Sequence, residues 1–191
     1  MLTREEAIEI FMKSKALLTG HFRLTSGRHS SQYMQCAQVL QYPRYAGQLC
    51  DSLAEKFAGI QVDLVVGPAL GGIIVAYEVG RALGVKTFFT EREQGVMSLR
   101  RGFAVNPGEK VLVVEDVVTT GGSVKEVINV VREKGGEVVG VGVLVDRSNG
   151  KVDFGVRTES ILKMEIESFD PEDCPLCKQG LPVVKPGSRQ V

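Results

Sequence analysis

Tryptophan is absent from this chain, and histidine and cysteine are scarce: two His and four Cys among 191 residues. The cysteines (Cys36, Cys50, Cys174, Cys177) are too few and too scattered for a disulfide framework in a chain of this size, so a reducing cytoplasm is the expected compartment. Neither sign of charge is in excess. The 23 Lys+Arg balance 23 Asp+Glu, which excludes binding of nucleic acid through an overall basic field. Long apolar runs are also missing. Val111–Val114 and Gly140–Val145 fall far short of the roughly 20 residues a membrane helix needs. Charges from Arg4 onward interrupt the N-terminal stretch that a signal peptide would keep apolar. There is no internal repeat and no low-complexity segment. What remains is 43% hydrophobic and 24% charged, the composition of one globular domain with a small elaboration and ample material for a core.

Along the chain, Thr3 and Glu6 form a T-x-x-E capping box, and Ala7, Ile8, Ile10, Phe11, Ala16 and Leu17 follow helical spacing, so a helix is expected up to Gly20. Phe22–Leu24 and Tyr33–Cys36 flank a polar turn and predict a hairpin. Pro43 is placed to open a helix reaching about Phe57. From Val62 onward apolar runs alternate with helical segments: strands at 63–66, 85–90, 110–114 and 137–145, and helices at 73–83 and from 123 to about 134. Apolar strands joined by helical crossovers imply an α/β fold, a doubly wound and mostly parallel sheet covered on both faces. The resulting division is an N-terminal helix and hood over 1–40, a core over 41–169 and an irregular tail over 170–191. The tail holds Pro171, Pro175, Pro182 and Pro186.

Ligands of such sheets bind outside the carboxyl ends of the strands, where the segments 67–72, 91–101 and 115–123 fall. The last is the most informative. Val111–Ser123 reads VLVVEDVVTTGGS, with Glu115 and Asp116 ending an apolar strand before a turn of hydroxyls and glycines and then a helix. Glycines let backbone N–H groups approach a phosphate, and the helix N-terminus favours its charge. Thr119, Thr120 and Ser123 can donate hydroxyl hydrogen bonds to it. Two carboxylates would repel phosphate, but they suit ribose hydroxyls or a hard cation such as Mg²⁺. A sugar phosphate answers both halves of the segment. Neither G-x-x-x-x-G-K-[ST] nor G-x-G-x-x-G occurs.

This segment resembles the phosphoribosyl-diphosphate motif of the type I phosphoribosyltransferase family, and the resemblance extends over roughly residues 10–160. Phe22-x-Leu24-x-Ser26-Gly27-x-x-Ser30 is similar to the hood motif of the family's orotate-using members. Gly67–Ile73 is similar to the family's diphosphate loop, and Val145-Asp146-Arg147 to a strand end that contacts orotate. The resemblance implies transfer of a 5-phosphoribosyl group from phosphoribosyl diphosphate to orotate, giving orotidine 5′-monophosphate in pyrimidine biosynthesis. It implies Mg²⁺, carried mainly by the substrate's diphosphate with Asp116 as a candidate ligand, and a homodimer. Catalysis falls to Glu115, Asp116 and Arg92. The phosphoribosyl diphosphate site comprises these three with Val117, Val118, Thr119, Thr120, Gly121, Gly122 and Ser123. Orotate falls to Thr119 and Arg147, whose planar donors match a carboxylate.

The chain departs from the family pattern in three places. Gly71 stands where many orotate enzymes have a lysine, Thr25 replaces the hood lysine, and residues 91–101 contain neither lysine nor histidine. Arg92, Arg100 and Arg101 are the cations available there for diphosphate; a solvated charged hairpin is the alternative. His21 and His29 read as surface or hydrogen-bonded hood residues rather than as general acids or bases. Cys174-x-x-Cys177 reads as a feature of the tail; zinc would require two more ligands, from Cys36 and Cys50 or from another subunit. The competing functions are a phosphoribosyltransferase for purine or uracil, and a sensor of phosphoribosyl diphosphate that regulates a partner. The sensor needs a DNA-binding module, which residues 1–20, with Arg4, Glu5, Glu6 and Glu9 on one helix, do not resemble.

Overall fold

A computed structural model describes residues 1–24 and 26–186. Thr25 lies outside the described residues, as does the end of the tail. The first helix, α1 (Arg4–Lys13), starts on the expected capping box: Thr3 Oγ1 accepts from the Glu6 amide at 3.2 Å, and Glu6 Oε2 accepts from the Thr3 amide at 2.8 Å. It ends earlier than its apolar spacing suggests. Lys15 takes a positive φ of 57°, which breaks the helix, and Ala16 and Leu17 bury themselves at the start of a strand instead. That strand, β1 (Leu17–Arg23), pairs antiparallel with β2 (His29–Met34) to make the hood hairpin. A short helix α2 (Ala37–Leu40) leads into α3 (Pro43–Glu55), with proline in its first turn.

The core is a six-stranded sheet. In chain order it comprises β3 (Leu64–Pro68), α4 (Gly71–Leu83), β4 (Lys86–Glu93), β5 (Val96–Leu99), β6 (Lys110–Val118), α5 (Gly122–Glu133), β7 (Glu137–Asp146) and β8 (Thr158–Lys163). Across the sheet the order is β5-β4-β3-β6-β7-β8, with every pairing parallel except β4 with β5. The expected doubly wound, mostly parallel architecture is what forms. Two strands were not foreseen, β5 and β8, both at sheet edges.

Alternation along the central strands divides the apolar core in two. Val65, Leu112 and Val114 pack with Leu49 and Leu53 of α3 and Val75 and Val79 of α4. Val66, Val111 and Val113 pack on the opposite face with Val124, Val127 and Val131 of α5. These side chains are fully buried or nearly so, each contributing about 1.5–3 kcal/mol by leaving water. The chain winds from β3 through α4 to β4 on one side, then from β6 through α5 to β7 on the other. The switch of direction therefore lies between β3 and β6, and the crevice outside their carboxyl ends is where ligands of such sheets bind.

The tail comes back to the hood. His29 and Phe169 exchange both backbone hydrogen bonds at 2.8 Å, the Arg23 amide donates to the Val184 carbonyl at 2.9 Å, and the Val184 amide donates to the His21 carbonyl at 2.8 Å. Between these anchors lies the single turn α6 (Pro175–Lys178). Arg28 fastens the same region with an ion pair to Asp170 at 2.7 Å and bonds to the hydroxyl and carbonyl of Ser168.

Candidate active site

Three segments converge at the switch point. The first is the β3–α4 turn, whose glycines leave no room for side chains. A Cβ on Gly67 would stand 2.2 Å from the Gly72 carbonyl oxygen, and one on Gly72 would stand 2.7 Å from Pro68 Cδ. At Gly71 a Cβ would meet the Asp116 carboxylate at 2.4 Å. That contact gives the physical reason for the departure noted above: with this backbone, the position of the family's lysine is occupied by Asp116. The Ala69–Leu70 peptide of the same turn is cis.

The second segment is the end of β6, which runs further than its apolar residues alone predict. Glu115 is paired in register with Val143, and Val117 with Val145, so the two acids sit within the ladder rather than beyond it. Glu115 is only 8% exposed and Asp116 is half-buried. Glu115 Oε1 accepts from the Asp116 amide at 3.1 Å, and Asp116 Oδ1 accepts from the Val117 amide at 2.9 Å. Among the described residues neither carboxylate has an ion-pair partner. Burial, followed by the neighbouring Asp116 charge, pushes the Glu115 carboxyl up to about 9. Burial also raises Asp116, against the hydrogen bonds that favour its charged form. The ligand-free pair thus resists carrying two charges and is set to accept a cation or hydroxyl donors.

This has a measurable consequence. The unfolded chain releases the Glu115 proton near its ordinary value of 4.5, whereas the folded chain holds it to about 9. Stability from this group is full below the lower value and falls as pH rises to the upper one. Glu115→Gln is expected to unfold like the parent near pH 4.5, and to be more stable by roughly 1–3 kcal/mol near pH 9 without ligand. Thermal melts of both proteins across that range check it.

The third segment is the turn from Val117 to Ser123. With Arg92 of β4, Glu115 and Val124 it lines a pocket of about 260 Å³. Thr119 and Thr120 are exposed, their hydroxyls free to meet a ligand. Gly121 has φ of 74°, and a Cβ there would stand 2.6 Å from Val152 Cγ1, so only glycine makes this turn. The first turn of α5 carries no acidic residue, leaving its amide groups and positive end for an anion.

All the residues expected to hold phosphoribosyl diphosphate therefore lie together, with Asp116 against the β3–α4 turn and the rest around the pocket. Arg92 lines the pocket from the β4–β5 hairpin. Its Nη2 stands 2.7 Å from Glu126 Oε2, yet without hydrogen-bond alignment, for that oxygen has no hydrogen-bond partner. Arg100 and Arg101 are engaged with acids of their own hairpin. Arg101 clasps Glu91 with two bonds of 3.1 Å and Arg100 reaches Glu93 at 3.2 Å, so residues 91–101 form a charged, self-paired hairpin.

Arg147 lies one strand over. Its amide donates to the Val118 carbonyl at 2.8 Å, which brings it beside the Thr119 end of the pocket. Its Nε is buried without a hydrogen-bond partner among the described residues. Burial lowers the guanidinium's affinity for its proton, opposed by the nearby Cys36 and Tyr33. A half-buried arginine with a buried, open donor suits a planar anion.

Residues 39–154 match the model of the phosphoribosyl transferase domain. Over the full length of both chains, the sequence is 66% identical to an orotate phosphoribosyltransferase of Desulforamulus reducens and 65% identical to one of Pelotomaculum thermopropionicum. The chain belongs to the orotate phosphoribosyltransferase family. Solved structures agree. An orotate phosphoribosyltransferase from Aeropyrum pernix is 29% identical with a TM-score of 0.67, covering 82% of this chain and 93% of that one. One from Mycobacterium tuberculosis, in complex with 5-phospho-alpha-D-ribosyl 1-diphosphate, is 29% identical with a TM-score of 0.67, covering 84% of this chain and 95% of that one.

Proposed function

We propose that this protein transfers the 5-phosphoribosyl group of phosphoribosyl diphosphate to orotate, releasing diphosphate and forming orotidine 5′-monophosphate for pyrimidine (UMP) biosynthesis. The observation that carries the choice of acceptor is Arg147, half-buried beside the pocket, with a buried Nε that has no hydrogen-bond partner among the described residues. A purine or uracil offers no carboxylate to it; orotate does. Relatives of 65–66% identity bearing the orotate name support the same reading.

In this reading the 5-phosphate lies in the Thr119–Ser123 turn, held by backbone amides, hydroxyls and the α5 terminus. Glu115 and Asp116 accept hydrogen bonds from the ribose hydroxyls. A base nitrogen of orotate attacks C1 of the ribose as the C1–oxygen bond breaks; the electron pair of that bond leaves with diphosphate, and the nitrogen's proton passes to water or to the departing diphosphate. Positive charge grows on the ribose ring next to the two carboxylates, which stabilise it. Arg92 exchanges its misaligned contact with Glu126 for the departing diphosphate, and Thr119 and Arg147 hold orotate.

An all-oxygen donor pair without a competing cation fits Mg²⁺, with Asp116 as the protein ligand and the substrate's diphosphate as the main one. Bound there, the ion would neutralise charge on the leaving diphosphate. Solution work is expected to find a cytoplasmic homodimer; no helix among the described residues is long and apolar enough to cross a membrane.

A panel of acceptors tests the assignment. With Mg²⁺ and phosphoribosyl diphosphate, orotate absorbance should fall in step with diphosphate release, and adenine, hypoxanthine, xanthine and uracil should release none. Turnover on hypoxanthine or xanthine but not orotate would overturn the acceptor. Tight binding of phosphoribosyl diphosphate with no release on any base would make the protein a sensor.

A further inference from the structure

A second cluster lies in the hood, built from side chains that the transfer reaction does not use. Cys174 and Cys177 had seemed to need Cys36 and Cys50, or another subunit, to complete a metal site. The fold puts those two cysteines elsewhere. Cys36 Sγ contacts the Asp116 carbonyl, and Cys50 is wholly buried in α3. The two histidines, expected as surface or hydrogen-bonded hood residues, are hydrogen-bonded, and both are buried against the C-x-x-C turn. His21, His29 and Cys174 are 5%, 7% and 0% exposed, and Cys177 is at the surface.

The donor atoms of all four residues lie within 4.8 Å of one another. His21 Nε2 is 3.6 Å from Cys174 Sγ and 3.7 Å from Cys177 Sγ; His29 Nδ1 is 3.2 Å from Cys177 Sγ and 3.0 Å from His21 Nε2. A tetrahedral zinc ion with bonds of about 2.3 Å to sulfur and about 2.05 Å to nitrogen needs N···S near 3.5 Å and N···N near 3.3 Å. These four separations match to within a few tenths of an ångström, and the remaining two, within 4.8 Å, leave the cluster open by at most about 1 Å for the ion to draw closed.

A second observation is independent of this spacing. His21 Nδ1 is 2.8 Å from the Leu181 carbonyl oxygen. A carbonyl only accepts, so Nδ1 carries the proton and Nε2 turns its lone pair toward the cluster. That is the orientation a metal-ligating histidine takes when its other nitrogen is fixed by a carbonyl.

We propose that His21, His29, Cys174 and Cys177 bind one Zn²⁺ as a closed structural site that fastens the tail to the hood hairpin. The ion would displace two thiol protons and join segments about 150 residues apart in sequence, all within one chain. His21 and His29 lie on β1 and β2, and the backbone bonds at Phe169 and Val184 bracket the cysteines, so most of the ordering is done before the ion arrives. Four protein ligands leave no open position, and the site is separate from the Mg²⁺ chemistry of the pocket. The proposal does not depend on which base the enzyme uses.

Tag-free full-length protein purified under reducing conditions, without added metal or chelator, should carry one equivalent of zinc by elemental mass spectrometry. Exchange for Co²⁺ should give thiolate-to-cobalt charge transfer and the intense ligand-field bands of a tetrahedral site. Cys177→Ser, at the exposed ligand, and His29→Gln should each lose the zinc and the cobalt spectrum. Their unfolding midpoints should drop by roughly 5–10 °C, as should that of chelator-treated parent, and chelator should not lower the variants further. Should a variant fail to fold, cobalt titration of the chelated parent still decides the matter. Absence of zinc together with failure to bind Co²⁺ would overturn the proposal. So would metal retained in full by both variants, or a Cys174–Cys177 disulfide in protein prepared without oxidant.

Discussion

Arg147→Met is expected to lower kcat/KM for orotate by about 10²–10³-fold, with the loss mainly in the KM for orotate and little change in that for phosphoribosyl diphosphate. The guanidinium sits one strand from the phosphate turn with its Nε buried and open. In the ligand-free protein that donor is a cost, because water has been removed and nothing replaces it. A carboxylate on the base would supply the missing partner, and a planar fork matches it better than a point charge. Arg147→Lys is therefore expected to recover only part of the activity. Removing the cost should leave the ligand-free Met variant at least as stable as the parent, which separates loss of binding from loss of fold. Steady-state kinetics with each substrate varied in turn, beside thermal melts, checks all three expectations. An unchanged KM for orotate in Arg147→Met would move the base away from this residue.

Why the Thr119–Ser123 turn could be read from the sequence itself, Arg147 only through the family resemblance, and the hood cluster not at all, is a matter of how each is encoded. The turn is contiguous: Glu115 to Ser123 carries carboxylates, hydroxyls and glycines in one run, so its chemistry needs no fold to assemble. The main strands were equally legible because they are buried on both faces and read as unbroken apolar runs. Strand β8, with the sequence TESILK at the sheet edge, has only Leu162 fully buried and gives no such run. Strand β5 follows the Gln94-Gly95 turn, both residues at positive φ, inside a stretch so charged that it read as a loop. At the end of α1 the pattern was ambiguous, for Ala16 and Leu17 satisfy helical spacing and a strand start alike, and the positive φ at Lys15 decided between them. That Arg100 and Arg101 meet Glu93 and Glu91 depends on the register of the hairpin, which the sequence does not print. The four hood ligands are set by a tail returning across 148 to 156 residues of chain, a separation at which local pattern carries nothing.

The carboxylate pair should yield the largest loss in turnover. Asp116→Asn is expected to reduce kcat by about 10²–10³-fold, the scale of removing one well-placed charge or donor from a site that stabilises a transition state. Its carboxylate lies against the β3–α4 turn, where Gly71 has no side chain to spare it a direct approach. Asparagine keeps the shape and the bond from the Val117 amide but gives up the charge that would answer the growing positive charge on ribose and hold Mg²⁺. Because the parent pair resists double ionisation, the variant should melt no lower than the parent, so a low rate cannot be blamed on unfolding. Glu115→Gln should lower kcat as well. The double variant should fall short of the product of the two single losses, since each acid alters the other's charge. Single-turnover rates at saturating Mg²⁺ and both substrates, for the two singles and the double, measure that coupling. A rate in Asp116→Asn equal to the parent's would place the developing charge elsewhere, and strictly multiplicative losses would mean that the two carboxylates act apart rather than as one coupled pair.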